Sequence, residues 1–352
     1  MEQSPQPGRQ TPLYRVLDAA ANRATEGLRV VEDYARFALD DRHFVGLLKG
    51  FRHDLAKLLI ELGPTRRYAA RETQRDVGTS VSTEAEQTRV ELADVAAASI
   101  KRAEQALRSL EEFGKLISPE MALGFEQLRY RLYTLERAIN ITTDTNRRLE
   151  KARLYVLIDG QATMDEFERL VTSLVETGVH FLQLRAKVLT DRDLLERAHA
   201  LRRLAAESNT VCVINDRADI AALARADGIH VGQDELSIKD ARTIVGTDRL
   251  VGVSTHSLQQ ARQAVLDGAN YIGVGPVFPS RTKEFGHFIG PTLLQEVAGE
   301  ITLPAFAIGG ISLENLDQVI GAGFRRIAVG AAITGAKEPA AAAAEFLKRL
   351  NP

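Results

Sequence analysis

The sequence has no tryptophan and a single cysteine, Cys212. One thiol excludes an intramolecular disulfide and fits a reducing compartment. Cys212 lies in the apolar run Val211-Cys212-Val213-Ile214, where a small core hydrophobe is expected rather than a nucleophile. No apolar stretch reaches the length a bilayer span needs. Residues 1–10 are polar, carry two prolines and lack the apolar segment of a signal peptide; they read as the disordered tail of a cytoplasmic protein. An excess of one charge is also missing. The net charge is −2, so neither nucleic acid nor an anionic membrane is expected as the main partner, whereas a local basic pocket for a small phosphorylated molecule is compatible.

What is present divides into two regions of different period. With 352 residues, 45% of them hydrophobic, the chain can fill two cores. Over residues 11–141 apolar positions recur at helical spacing, in segments 13–39, 43–62, 84–116 and 119–141. Residues 64–83 form a polar, Arg-rich connection. An all-helical domain is the simplest way to bury these stripes. Residues 142–152 are polar and charged and read as a linker. Residues 153–352 then alternate short apolar runs with amphipathic segments. The runs are 154–159, 181–185, 211–216, 228–231, 250–254, 271–277, 305–309 and 326–329, each except the fourth followed by a full helix. Eight such units in roughly 200 residues predict a (β/α)8 TIM barrel. An open doubly wound sheet is the alternative, but the first unit carries no Gly-x-Gly-x-x-Gly fingerprint.

Barrel active sites lie at the C-terminal strand ends, so those ends carry the functional signal. The second run ends in Gln183-Leu184-Arg185-Ala186-Lys187, placing an amide and two cations where a phosphate or diphosphate would sit. The third ends in Asn215-Asp216, and the fourth continues into Gly232-Gln233-Asp234-Glu235. Carboxylates on adjacent strands facing phosphates suit Mg²⁺, which takes few protein oxygens. His230, within the fourth run, is expected as a hydrogen-bonded barrel residue. Ser254 and His256 near the fifth exit lack a nucleophile elbow, so Ser254 reads as a hydroxyl donor to a ligand. After the sixth run Ser280, Arg281, Thr282 and Lys283 form a loop of donors, with Gly286 and Gly290 giving lid-like freedom. Glycines follow the last two runs, Gly309-Gly310 and Gly330, the common phosphate position of such barrels. Two anion sites result, one Mg²⁺-assisted and one built on glycines.

In order along the chain, Gln183-Leu184-Arg185-x-Lys187, Ile214-Asn215-Asp216, Gly228-Ile229-His230-Val231-Gly232-Gln233, Gly252-Val253-Ser254-x-His256, Gly275-Pro276-Val277-Phe278-Pro279-Ser280-x-Thr282-Lys283 and Ile308-Gly309-Gly310-Ile311 resemble the motifs of thiamine-phosphate synthases. The resemblance spans nearly all of residues 153–335. It implies a transferase that joins 4-amino-2-methyl-5-hydroxymethylpyrimidine diphosphate to thiazole phosphate, giving thiamine phosphate and pyrophosphate with Mg²⁺. It also implies that the diphosphate departs before the thiazole nitrogen attacks. By motif, Gln183, Arg185, Lys187, Asn215, Ser254 and Lys283 hold the pyrimidine diphosphate. Asp216 and Glu235 hold the metal. Ser280, Arg281, Thr282, Gly310 and Gly330 serve the thiazole phosphate and its surroundings, and Lys187, Ser254 and Lys283 carry catalytic roles. Two departures stand out. Gln233-Asp234-Glu235 replaces a Gln-Glu-Asp order, leaving open which acid reaches the metal, and Ser280 stands where Thr is common.

Residues 15–33, from Arg15-Val16-Leu17-Asp18 to Glu32-Asp33, resemble a helical domain found fused to this synthase and proposed to be an alternative hydroxymethylpyrimidine-phosphate kinase. Asn22, Glu26, Arg29 and Asp33 share one helix face by spacing. With Arg71, Arg75, Asp76, Arg102, Arg108 and Glu111 they could form a pocket or a laced surface. There is no Walker-type loop. From the residues alone, another phosphate-binding barrel enzyme and a non-catalytic sensor of thiamine precursors also stay open, as does a homo-oligomer.

Overall fold

The computed structural model describes residues 7–74, 88–279 and 290–351. The chain divides into two units, Met1–Asn140 and Ile141–Pro352.

The first unit is helical, with α1 (Pro7–Phe37), α2 (Arg42–Glu61), α3 (Pro64–Ala70), α4 (Leu92–Gly114) and the first part of α5 (Pro119–Arg148). α1 and α4 approach through Gly27, where an added Cβ would lie 2.7 Å from the Ser99 carbonyl oxygen. Leu17, Leu28, Phe44, Leu107, Leu110 and Phe125 fill the core. Full burial of such side chains stabilises by about 1.5–3 kcal/mol each. The connection read at 64–83 begins with α3, because Gly63 takes a left-handed φ of 83° and Pro64 starts the helix where its missing N–H is harmless. α1 begins at Pro7, so the last part of the segment read as a tail is helical.

The segment 142–152 is also not an irregular linker. Its first seven residues complete α5, and Thr142 and Thr145 are buried despite their polarity. Thr145 accepts a hydrogen bond from Asn270 Nδ2 at 3.2 Å, which explains why a polar residue belongs there.

In the second unit eight parallel strands close into a barrel: β1 (Leu154–Ile158), β2 (Phe181–Leu184), β3 (Val211–Asn215), β4 (Gly228–Val231), β5 (Leu250–Thr255), β6 (Tyr271–Val274), β7 (Ala305–Ile308) and β8 (Ile327–Val329), with β8 returning to β1. The predicted (β/α)8 TIM barrel is therefore observed, after an all-helical region. The expectation that only the fourth strand lacks a full helix is corrected. α9 (Ile238–Val245) follows β4, while the six-residue α8 (Ala218–Leu223) and α12 (Leu316–Gly321) follow β3 and β7. Helices leave the strand exits through polar caps: Thr163, Thr190, Ser237 and Ser257 each accept from a backbone N–H in the first turn.

Tyr155, Phe181, Tyr271 and Phe306 meet inside the barrel with ring centroids 5.0–6.0 Å apart. Leu149 and Ala152, just before β1, pack on the same cluster. Gly252 is required here: a side chain on it would overlap the Tyr271 ring. Cys212 is buried, and burial pushes its thiol up to about 12, consistent with a core role.

Candidate active site

Gln183, 3% exposed, does point into the barrel, but deeper than a mouth residue: its Nε2 donates to the Tyr155 hydroxyl at 2.7 Å. Arg185 follows on the same side of the strand and is half-buried, and Lys187 is exposed in the loop beyond. Among the described residues neither cation forms an ion pair.

On the next two strands, Asn215 and His230 are register partners. Asp216 adopts a left-handed φ of 60°, a conformation Asp tolerates better than most residues. The turn lets its N–H donate to the His230 carbonyl oxygen at 2.8 Å, and Asn215 Nδ2 donates to its carboxylate at 2.5 Å. Glu235 folds back over Gly232, its Cγ 3.3 Å from where a Cβ would stand. Asp234 and Glu235 are both exposed.

His230 is the barrel residue the sequence suggested. Its Nε2 is 3.0 Å from Ser254 Oγ and its ring leans on Tyr271 at 5.6 Å. Nδ1 is buried without a hydrogen-bond partner among the described residues. Burial, aided by the charge of Arg185, pushes the imidazole down to about 4, so it is neutral at pH 7. Ser254 is half-buried and is flanked by Gln233, whose Nε2 donates to the Ser254 carbonyl at 2.5 Å. His256 instead bonds the Gly275 carbonyl oxygen at 2.5 Å, so the neighbouring serine and histidine form no catalytic pair.

At the exits of β6 and β7 two backbones pack face to face. Val277 and Phe278 donate to the carbonyls of Ile308 and Gly309, both at 3.0 Å. A side chain at Gly310, whose φ is 62°, would overlap the Pro279 carbonyl, so glycine is needed for this approach. Asn315 fixes the turn by donating to the Gly310 carbonyl at 2.8 Å. Gly330 caps the short α13 (Ala331–Thr334), and an added Cβ there would meet Leu157 at 3.8 Å, an ordinary packing distance. Ser280, Arg281, Thr282 and Lys283 lie outside the described residues, as do Gly286, Arg75 and Asp76.

On the helical unit, Arg29 pairs with Asp33 at 3.5 Å and Glu32 at 3.6 Å. Arg71 reaches Asn22 at 3.4 Å but clamps the buried Asp18 more closely, at 2.6 and 2.9 Å. Arg108 and Glu111 pair with each other, and Glu111 also pairs with Arg129. Of the deeper members of these pairs, Asp18 and Glu32 enter the sequence reading only within the motif of residues 15–33, and Arg129 does not enter it. Their helical spacing beside apolar positions was the available signal.

Residues 154–333 match the family model described as thiamine monophosphate synthase, and residues 15–138 match the ThiD2 family. The thiamine-phosphate synthase of Rhodopirellula baltica is 44% identical over 96% of this chain and 93% of its own length. That of Thermosynechococcus vestitus is 38% identical over 96% of this chain and 95% of its own. Among solved structures, a thiamine phosphate pyrophosphorylase from Pyrococcus furiosus superposes with a TM-score of 0.53 at 30% identity, covering 59% of this chain and all of that one. No helix among the described residues is long and apolar enough to cross a membrane. From the eight-stranded barrel with its ordered strand-exit residues, together with these matches, the chain belongs to the thiamine-phosphate synthase family, transferases of thiamine biosynthesis.

Proposed function

We propose that the barrel joins hydroxymethylpyrimidine diphosphate to thiazole phosphate in the cytoplasm, with Mg²⁺ as cofactor and these small molecules as its substrates. In the reaction the bond from the pyrimidine methylene carbon to the diphosphate oxygen breaks, its electron pair leaving with pyrophosphate. The thiazole nitrogen then bonds to that carbon. The chemical demand is stabilisation of the leaving anion, not a strong base or nucleophile. The observation that carries this reading is the pair of rim cations, Arg185 and Lys187, that no carboxylate among the described residues neutralises, beside a buried interior held uncharged.

The donors fit Mg²⁺. Two carboxylates, Asp216 and Glu235, stand at neighbouring strand exits, and Asp216 is oriented by its left-handed backbone and by Asn215. No group of three or more metal-binding side chains gathers among the described residues; Mg²⁺ in general takes few protein oxygens and shares its shell with water and substrate phosphates. Asp216 and Glu235 would hold the ion, which when bound supplies charge neutralisation to the diphosphate. Arg185, Lys187 and, by motif, Lys283 would take the remaining phosphate oxygens. Asn215 would bind beside the metal, and Ser254 would donate its hydroxyl to the substrate, steadied by neutral His230. Gly310 and Gly330, with Ser280, Arg281 and Thr282 by motif, would bind the thiazole phosphate through backbone N–H groups and hydroxyls.

For the helical unit the supporting observation is the match to the ThiD2 family, and the reading is a kinase module that supplies the pyrimidine diphosphate. Purified chain given both phosphorylated precursors should form thiamine phosphate with Mg²⁺ and far less after chelation. Absence of product under every condition would overturn the synthase reading. The helical unit is tested with hydroxymethylpyrimidine phosphate and ATP, where lack of phosphorylation would favour a structural role.

A further inference from the structure

Beneath the barrel mouth lies a pair of tyrosine hydroxyls to which the proposed reaction assigns no part. Tyr155 on β1 and Tyr271 on β6 are fully enclosed, and their hydroxyl oxygens are 3.1 Å apart. Burial raises both phenols above the ordinary tyrosine range, so both remain neutral hydroxyls. Tyr155 also accepts from Gln183 Nε2 at 2.7 Å. Placing three polar groups in an apolar interior is costly unless their hydrogen bonds are made, and here they satisfy one another.

The consequence concerns the Gln183 amide. Its nitrogen and oxygen are nearly the same size and sit on opposite sides of one carbon, so only hydrogen-bond partners decide which faces which way. Tyr155 and its neighbour Phe181 are register partners, and Gln183 lies two residues further along β2, one level closer to the strand exits. A nitrogen committed to Tyr155 therefore turns the carbonyl oxygen away from the aromatic floor. If the Tyr155 proton is engaged with Tyr271, Tyr155 has only acceptor capacity left for the amide, which favours the nitrogen-down arrangement.

We propose that Tyr155 and Tyr271 are positioning residues that hold the Gln183 amide nitrogen-down and oxygen-up, making Gln183 a selector for a ring that presents an N–H donor. This rests on the synthase reading, in which the ring is an aminopyrimidine. A flipped amide would present its NH₂ instead and would suit a ring carrying a carbonyl. Sites built to hydrogen-bond one group reject the analogue lacking it strongly, because a buried polar atom is then left unpaired.

The test compares the aminopyrimidine diphosphate with its oxo counterpart, using the full chain with Mg²⁺ and thiazole phosphate. Wild type should favour the amino substrate by about 100-fold or more in kcat/KM. Tyr155→Phe should reduce that preference about tenfold or more, leaving the KM for thiazole phosphate unchanged; a merely structural role would not move the ratio. Tyr271→Phe should act in the same direction and less strongly, and it serves if Tyr155→Phe folds poorly. Independently of turnover, the Gln183 side-chain amide protons, assigned by their loss in Gln183→Met, should exchange slowly in wild type and faster in either tyrosine variant. A wild type that makes no product defeats the synthase reading, yet the exchange measurement still decides the orientation. An unchanged substrate preference, or unchanged amide exchange, in folded Tyr155→Phe would overturn the proposal.

Discussion

The two units treat charge in opposite ways. In the helical unit buried acids are met by cations: Asp18 by Arg71 at 2.6 Å, Glu32 by Arg52 at 2.5 Å, Glu104 by Lys101 at 3.0 Å and Glu111 by Arg129 at 2.8 Å. Inside the barrel Tyr155, Tyr271 and His230 are neutral, while Arg185 and Lys187 stand at the rim without an ion pair among the described residues. Charge neutralised within a fold holds helices in register but has little left for a ligand. Charge left unpaired at a strand exit stabilises nothing in the free protein and is available to an anion. On the proposed function the rim cations of the barrel would receive the diphosphate of the synthase step, while the paired helical charges named here hold their own helices together.

The largest expected effect is at the rim. Asp216→Ala should lower Mg²⁺-dependent turnover about 1000-fold, within the range seen when a preorganised charge-stabilising group is removed. Calorimetry should show thiazole phosphate still binding; unchanged turnover would remove Asp216 from the site. The matching change in the helical unit is Arg129→Ala, which leaves the nearly buried Glu111 with only the exposed Arg108. Loss of one partner of a buried pair should destabilise by about 3 kcal/mol in denaturant unfolding, with turnover per folded molecule unchanged. A loss of turnover without a loss of stability would reverse the comparison.

A third prediction uses the neutral barrel interior. The folded His230 lies at about 4, below the ordinary histidine value of 6.5, so the unfolded chain binds the proton first as pH falls. Stability should therefore decline as pH drops through 6.5 and this contribution should level off near 4, amounting to roughly 3 kcal/mol in all. His230→Gln should remove that part of the acid dependence in melting curves recorded from pH 7 to 4. Identical curves for the two proteins would show that His230 is protonated equally in both states. The smallest effect concerns Cys212, whose raised, buried thiol should stay inert to a disulfide reagent until the barrel unfolds.

The barrel was legible because its strands are short apolar runs bounded by polar or glycine residues; observed ends differ from the expected ones by a few residues at most. The segment 142–152 reads as a linker because Thr142 and Thr145 look like solvent-facing residues, and the contact of Thr145 with Asn270 that explains its burial is tertiary. α3 was hidden by its arginines, although Gly63 and Pro64 carried a start signal. Strand parity and position place Asn215 and Asp216 at the exit of β3 and His230 within β4, as observed, whereas Gln183 lies deeper than the mouth position expected of it. The partnership of Tyr155 with Tyr271 is not legible in the sequence, since 116 positions separate them and both tyrosines sit in apolar runs that read simply as core.

On the proposed function Arg185 and Lys187, without an ion pair among the described residues, would hold a diphosphate together with Mg²⁺. Titrating inorganic pyrophosphate into the full chain by calorimetry, with and without Mg²⁺, addresses it without requiring turnover. Binding should depend on Mg²⁺ and weaken at least about tenfold in Lys187→Ala, one charge-assisted contact being worth about 1.5–3 kcal/mol. Equal affinity in wild type and Lys187→Ala, or binding indifferent to Mg²⁺, would contradict that role.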